Sequence, residues 1–381
     1  MGKEIAMSKY LVKLTPLGKF FFGGDMTFKS NREEEKDDER YSSYIIHSFT
    51  MPQQTSLLGM LRFLLLSNND GVFDSKGNHI KEGDEVKSKV ESLIGKWSFS
   101  VLEKHTKTDF GQIVELGPCF LYEKKNQKAY FKAGMDKELQ LDFDKARKAY
   151  INYVEVEIPE ISVKERIGEK GEEPRYSGKD YLEAFYALAD GSCAIKESEL
   201  FKKDTRIGID KDYEGKVKNA AFYKQISYRL KEGFCFALEV EMKDGTELMN
   251  YNGSLVKLGA DASCFMLEIE KQHTELVYPK NEDEQHRVVL VSDSYLSEEI
   301  KDKKIRYAIT QIRPFRFLST SNKTNAKDYN VRFRTFRSKK RYDLYQAGSV
   351  FYFKDKNDRD AFCKFLDGFE DFTQIGYNKY C

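Results

Sequence analysis

The stretch Met51-Pro-Gln-Gln-Thr-Ser-Leu-Leu-Gly-Met-Leu-Arg62 decides how this chain is read. Pro52 suits the first turn of a helix, with Thr50 or Met51 before it at the cap. Leu57, Leu58, Leu61, Leu64 and Leu65 then recur at helical spacing and give one apolar face. Gln53, Gln54 and Thr55 fall at the helix start, where unpaired N–H groups and the helix dipole favour an anion such as phosphate. Upstream, Tyr10-Leu-Val-Lys-Leu14 alternates with period two and predicts a strand. It runs on to Phe20-Phe-Phe22-Gly23-Gly24, whose paired glycines mark a turn or a close backbone approach. Residues 29–40 are charged almost throughout and predict a solvated loop. The order is therefore strand, glycine turn, charged loop, helix.

Further along, Val86 to Ile94, Phe143 to Tyr150 and Tyr181 to Ala189 read as helices, Ile113 to Tyr122 as a strand, and Ile167 to Ser177 as a loop. Arg206-Ile-Gly208-Ile-Asp210, a polar tip over Lys211 to Asn219, and Ala221 to Leu230 together predict a long hairpin. Strands are expected at Gly233 to Met242, Ser263 to Glu270, Arg287 to Ser292 and Gly348 to Phe353, and a helix at Asp358 to Leu366. Lys257 to Gly259 lies in a glycine-bearing loop between two of these strands.

Composition narrows the class. The chain has 381 residues, enough for two domains. Aromatic residues reach 14 %, which favours strands and stacking surfaces over a helical bundle. No apolar run approaches the roughly 18 residues a membrane helix needs. Met1 to Lys9 lacks a signal-peptide core, so a cytoplasmic protein is expected. The six cysteines form no C-x-x-C pair and the five histidines no metal-ligand spacing, so neither a zinc site nor a cofactor is expected. Walker A and G-x-S-x-G patterns are absent. The D-x-D spacings Asp142/Asp144, Asp210/Asp212 and Asp358/Asp360 lie among lysines and arginines and read as solvated surface. His47, just before the helix, is the single histidine beside a candidate site; an acid/base group there has no evident partner.

Lys+Arg and Asp+Glu nearly cancel, at 63 and 62, so any nucleic-acid surface requires local segregation of charge. It occurs between Arg313 and Arg341, which hold ten basic residues and one acid, Asp328. Arg332, Arg334, Arg337, Lys339, Lys340 and Arg341 alternate there with Phe333 and Phe336. Clustered cations neutralise phosphates and interleaved aromatics stack bases. A solubility surface normally mixes signs, which this segment does not.

Taken in order, Tyr10 to Gly24, Met51 to Arg62, Arg206 to Asp210, Leu258-Gly-Ala-Asp261, Gly348 to Phe353 and Gly376-Tyr377-Asn378 resemble the repeat-associated mysterious protein (RAMP) superfamily of CRISPR systems, and within it subunit three of the type III-B (Cmr) effector. The resemblance implies an α+β protein of two ferredoxin-like (RRM-like) domains, placed here at 1–200 and 201–381, with inserted loops and a β-hairpin thumb after Arg206. It implies a non-catalytic subunit that binds the crRNA 5′ tag, meets target RNA near the guide 5′ end, and docks on the large cyclase/polymerase-like subunit and the backbone RAMP subunits. Phe22, Gly23, Gly24, Gln53, Gln54, Thr55, Arg62, Arg206, Gly208, Lys257, Gly259, Gly376, Tyr377 and Asn378 would surround the RNA with the basic strand. Where the family carries a glycine-rich C-terminal loop, this chain has Gly376 alone. Two alternatives are the type III-A counterpart, and a RAMP endoribonuclease that trims precursor crRNA with His47 as acid/base.

Overall fold

The computed structural model describes residues 7–23, 26–30, 42–69, 71–72, 84–151, 154–163, 184–211, 217–261, 263–272, 276–280, 286–316, 318–320, 335–337 and 340–381. β1 (Met7–Pro16) is an inner strand of the largest sheet. Its period-two apolar set, Tyr10, Val12 and Leu14, points inward, but Leu11 and Lys13 on the other face are buried as well. The reason is position: β1 is flanked on both sides by antiparallel strands and covered on both faces.

Those flanking strands are β13 (Phe234–Lys243) and β15 (Cys264–Lys271). Beyond β15 lies β14 (Leu255–Lys257). Beyond β13 follow β5 (Phe120–Glu123), β6 (Lys128–Lys132), β9 (Phe185–Leu188) and β10 (Ala194–Lys196), and β4 (Ile113–Leu116) pairs with the other end of β13. Every pair in this nine-stranded sheet is antiparallel. Segments from both sides of residue 200 share it, so the boundary expected at 200/201 runs through one hydrogen-bonded layer.

α1 (Gln54–Ser67) lies on one face and buries Leu57, Leu58, Met60, Leu61, Leu64 and Leu65 with Val12, Leu14, Phe236, Leu238, Phe265 and Leu267. Each such side chain contributes about 1.5–3 kcal/mol. The helix starts later than its sequence predicts. Gln53 is the N-cap, in extended conformation and without a side-chain cap bond, and Pro52 stands outside the helix. α2 (Asp84–Ile94) packs beside α1.

A second sheet has the order β11-β12-β3-β2. It combines β2 (Met26–Ser30), β3 (Ser42–His47) and the expected hairpin, β11 (Phe201–Lys211) and β12 (Val217–Leu230); the short α3 (Glu197–Leu200) leads into it. β12 and β3 run parallel. The C-terminal part builds small antiparallel sheets from β16 (Arg287–Val289), β18 (Ile305–Ile309) and β23 (Val350–Phe353), and from β17 (Ser294–Tyr295), β19 (Ile312–Phe315) and β22 (Tyr342–Tyr345). β20 (Leu318–Thr320) pairs with β21 (Thr335–Arg337). α4 (Lys356–Asp367) covers a second apolar cluster of Val288, Leu290, Phe351, Phe353, Phe362 and Leu366, and α5 (Glu370–Thr373) follows.

Further sequence expectations change. Phe143 to Tyr150 lies within β7 (Leu139–Ile151), paired with β8 (Val154–Val163). Lys148 reaches Glu155 across that pair at 2.6 Å and Tyr150 donates to the same carboxylate, so cross-strand partners override helical spacing. Phe185–Leu188, expected as helix, is an inner strand between β6 and β10. The strand expected over Ile113 to Tyr122 breaks into β4 and β5 at Gly117-Pro118. The loop expected at Ile167 to Ser177 lies outside the described residues.

Candidate nucleic-acid interface

Phe20 to Phe22 stitch three regions together by isolated bridges: Phe20 to Tyr228 on β12, Phe21 to Ala260, and Phe22 to Phe49 before α1. The Ser48 hydroxyl accepts from Phe22 N–H (2.8 Å) and the Ser263 hydroxyl from Phe21 N–H (3.0 Å). Gly259 has φ +84°, and a Cβ there would stand 2.4 Å from the Phe21 carbonyl oxygen, so only glycine fits this approach. Asp261 in turn accepts from the Gln225 side-chain amide of β12, and Gln225 stands opposite Arg206 of β11. Gly23, Lys257, Gly259 and Arg206 are therefore joined through one continuous junction, at the place where the hairpin leaves the main sheet. Gly23, Lys257, Gly259 and Arg206 are exposed and Gly208 is half-buried.

The hairpin is cationic on its outer surface. Lys202, Lys203, Arg206, Lys224 and Arg229 are exposed, while Asp204 is held by Lys19 (3.3 Å) and Arg229 (3.0 Å). Ile207, opposite Lys224, is 70 % exposed. Beside Arg206 and Gly208, which the sequence singles out, the structure exposes Lys202, Lys203 and Lys224, whose signal in sequence is only the density of lysines in the two hairpin arms.

Other expected RNA residues hold the fold together. Phe22 is buried, stacked on Phe265 at 5.9 Å and packed against Phe20 and Phe236. Gln54 is buried too; its side-chain amide donates to the Gly117 carbonyl (2.8 Å) and the Ile375 carbonyl (2.9 Å). Gly376 (φ +87°) lies against that amide, and Tyr377 is enclosed beside it. Burial and the Asp293 charge push the Tyr377 hydroxyl up to about 12, while Arg313 and Thr55 pull the other way. Asn378 (φ 56°) accepts from Tyr295 N–H and donates to Tyr295 C=O. The C-terminal segment thus closes over the start of α1. Gln53 and Thr55 are half-buried. Gln54→Ala leaves two buried carbonyls without donors and costs about 1–3 kcal/mol of stability, read as a lower urea midpoint.

The basic segment divides in the same way. Arg313, counted with it, is 4 % exposed, pairs with Asp293 at 2.8 Å, donates to the Met51 carbonyl and stacks 3.7 Å over Phe49. Lys340 and Arg341 are exposed, Arg341 3.3 Å from Asp343. Arg337 ends β21; Gly24, Arg332, Arg334 and Lys339 lie outside the described residues. Arg62 is half-buried on α1, and burial lowers its pKa. The sheet face away from α1 is no RRM-type stacking platform. It carries a charge ladder, Lys13 to Glu270 (2.6 Å) and Lys124 to Glu268 (2.5 Å), with Lys13 over the Tyr122 ring.

No group of three or more His, Cys, Asp or Glu among the described residues is placed to hold a metal ion. No described helix is long and apolar enough to cross a membrane. His47 ends β3, exposed, opposite Ile226.

These features define a mixed α+β protein of several antiparallel sheets. The chain belongs to the family described as CRISPR-associated protein (Cas_Cmr3), whose sequence profile matches residues 12–381, and so to the RAMP proteins of CRISPR systems. No curated protein matches it. Among solved structures it is similar to a chain of the type III-B Cmr-beta complex bound to cognate target RNA and AMPPnP, with 14 % identity, TM-score 0.49, and coverage of 98 % of this chain and 95 % of that one. A chain of the same complex bound to cognate target RNA gives 15 % identity, TM-score 0.47, and coverage of 98 % and 96 %. One from the Csm3-Csm4 subcomplex of the type III-A interference complex gives 11 % identity, TM-score 0.33, and coverage of 91 % and 93 %.

Proposed function

We propose that this chain is the crRNA 5′-tag-binding subunit, subunit three, of a type III-B effector, and that it performs no chemistry itself. The observation that carries the reading is the junction of Gly23, Gly259 and Arg206 at the root of a cationic hairpin, in a chain whose family match runs from residue 12 to 381. Backbone exposed at glycines lets RNA phosphates approach, and Arg206, Lys224 and Lys257 neutralise them. The β11–β12 hairpin is the thumb that reaches target RNA near the guide 5′ end. The remaining near-neutral surface meets the large cyclase/polymerase-like subunit and the backbone RAMP subunits. The chain divides into an N-terminal and a C-terminal RRM-like unit, with the nine-stranded sheet shared between them.

Reversing Arg206, Lys224 and Lys257 to Glu together weakens crRNA retention roughly ten- to hundred-fold at ~0.15 M salt, and flattens its salt dependence. A filter-binding titration at several salt concentrations measures both. Unchanged affinity would remove the hairpin root from the interface. If the chain instead trims precursor crRNA without metal and loses that activity in His47→Ala, the endoribonuclease reading replaces this one.

A further inference from the structure

The sheet face away from α1 also carries a pocket of about 260 Å³ between β1, β4, β13 and the C-terminal residues Lys379 and Tyr380. Its apolar walls are Pro118, Tyr278 and Val291. Its charged groups are almost all engaged. Glu115 pairs with Lys379 at 3.1 Å and with Lys107 at 3.8 Å. Glu239 accepts from the Tyr278 hydroxyl (2.5 Å) and from Leu276 N–H. Lys9 is also in contact with a partner. Glu241 is the exception: half-buried in the pocket, its side chain has no hydrogen bond or ion pair with any described residue. In the strand register it lies between Glu115 on β4 and Lys9 on β1, so it faces one like and one opposite charge.

We propose that this pocket receives an arginine side chain presented by a protein partner. Its volume admits a guanidinium with its aliphatic stem. Glu241 supplies a carboxylate that makes no ion pair of its own with a described residue, and the Tyr278 ring, whose hydroxyl is committed to Glu239, supplies a flat wall for stacking. Phosphate is repelled by the carboxylates, and no described acidic group is placed to hold a metal ion. The presence of a protein partner rests on the proposed assembly, whereas the pocket's chemistry can be read on the isolated chain.

The test titrates the purified full chain with N-acetyl-arginine amide, and with N-acetyl-citrulline amide as its neutral isostere, by calorimetry. Arginine binds saturably, and both the citrulline probe and the Glu241→Gln variant bind at least ten-fold more weakly. Glu241→Gln melts close to the wild type, because the charge it removes faces Glu115 on one side and Lys9 on the other. Equal binding of the two probes, unchanged affinity in Glu241→Gln, or no saturable arginine binding overturns the proposal. None of these outcomes bears on crRNA retention, which the hairpin variants test separately.

Discussion

Asp136→Ala lowers the stability of the chain by about 3–5 kcal/mol, the usual cost of leaving one half of a buried ion pair without its partner. Asp136 lies between β6 and β7, in the main-sheet half of the chain, and is 7 % exposed. Arg287 of β16 donates to it twice, Nε and Nη2 each at 2.7 Å, and the Tyr352 hydroxyl of β23 donates as well. Nearby, Met135 N–H donates to the Gly348 carbonyl. This constellation fastens the nine-stranded sheet to the C-terminal sheets, so its loss weakens the seam between them. Burial alone would raise the Asp136 carboxyl, but the Arg287 bonds and charge more than offset it and lower the pKa. A lowered native pKa means that the stabilisation is present above the unfolded value, about 3.9, and is lost as pH falls through the native value. Urea midpoints measured from pH 6 downward should show this acid-dependent loss in the wild type and a smaller one in Asp136→Asn. Equal stability of Asp136→Ala and wild type at pH 7 would show that Arg287 finds another partner.

Gly376→Ala should cost about 2–5 kcal/mol, for a different reason. An added Cβ would stand 1.9 Å from the Gln54 side-chain nitrogen and 2.4 Å from the Gly117 carbonyl oxygen, in a backbone conformation at φ +87°. The left-handed conformation itself costs roughly 1–2 kcal/mol for a residue with a Cβ. Displacing the Gln54 amide leaves buried carbonyls unpaired, at roughly 1–3 kcal/mol more. Thermal unfolding reads the loss. Measured at low temperature, where the variant stays folded, crRNA retention per folded molecule should change less than twofold. A variant of normal stability that no longer holds RNA would return Gly376 to the interface.

Much of the fold is legible locally. The leucines of α1, the alternation of β1 and the two arms of the β11–β12 hairpin are short-range patterns fixed by helical and strand periodicity. The errors came where partners distant in sequence outvoted local spacing. β7 looks helical until β8 supplies Glu155 across from its lysine and tyrosine. β9 looks helical until β6 and β10 take its backbone bonds.

The candidate site follows the same division. The sequence by itself determined that Phe20 to Gly23, the start of α1, the hairpin and the Gly259 loop are special, because glycines, aromatics and cations recur there in family order. Only the tertiary structure decided which of them face inward. Gln54 and Ile375 stand 321 residues apart and share a hydrogen bond; Arg313 reaches the Met51 carbonyl across 262 residues. Burial is set by such long-range closure. A buried polar group must find a partner wherever the chain brings one. A glutamine or arginine beside an RNA-binding motif therefore reads identically in sequence whether it meets a phosphate or a carbonyl of its own chain.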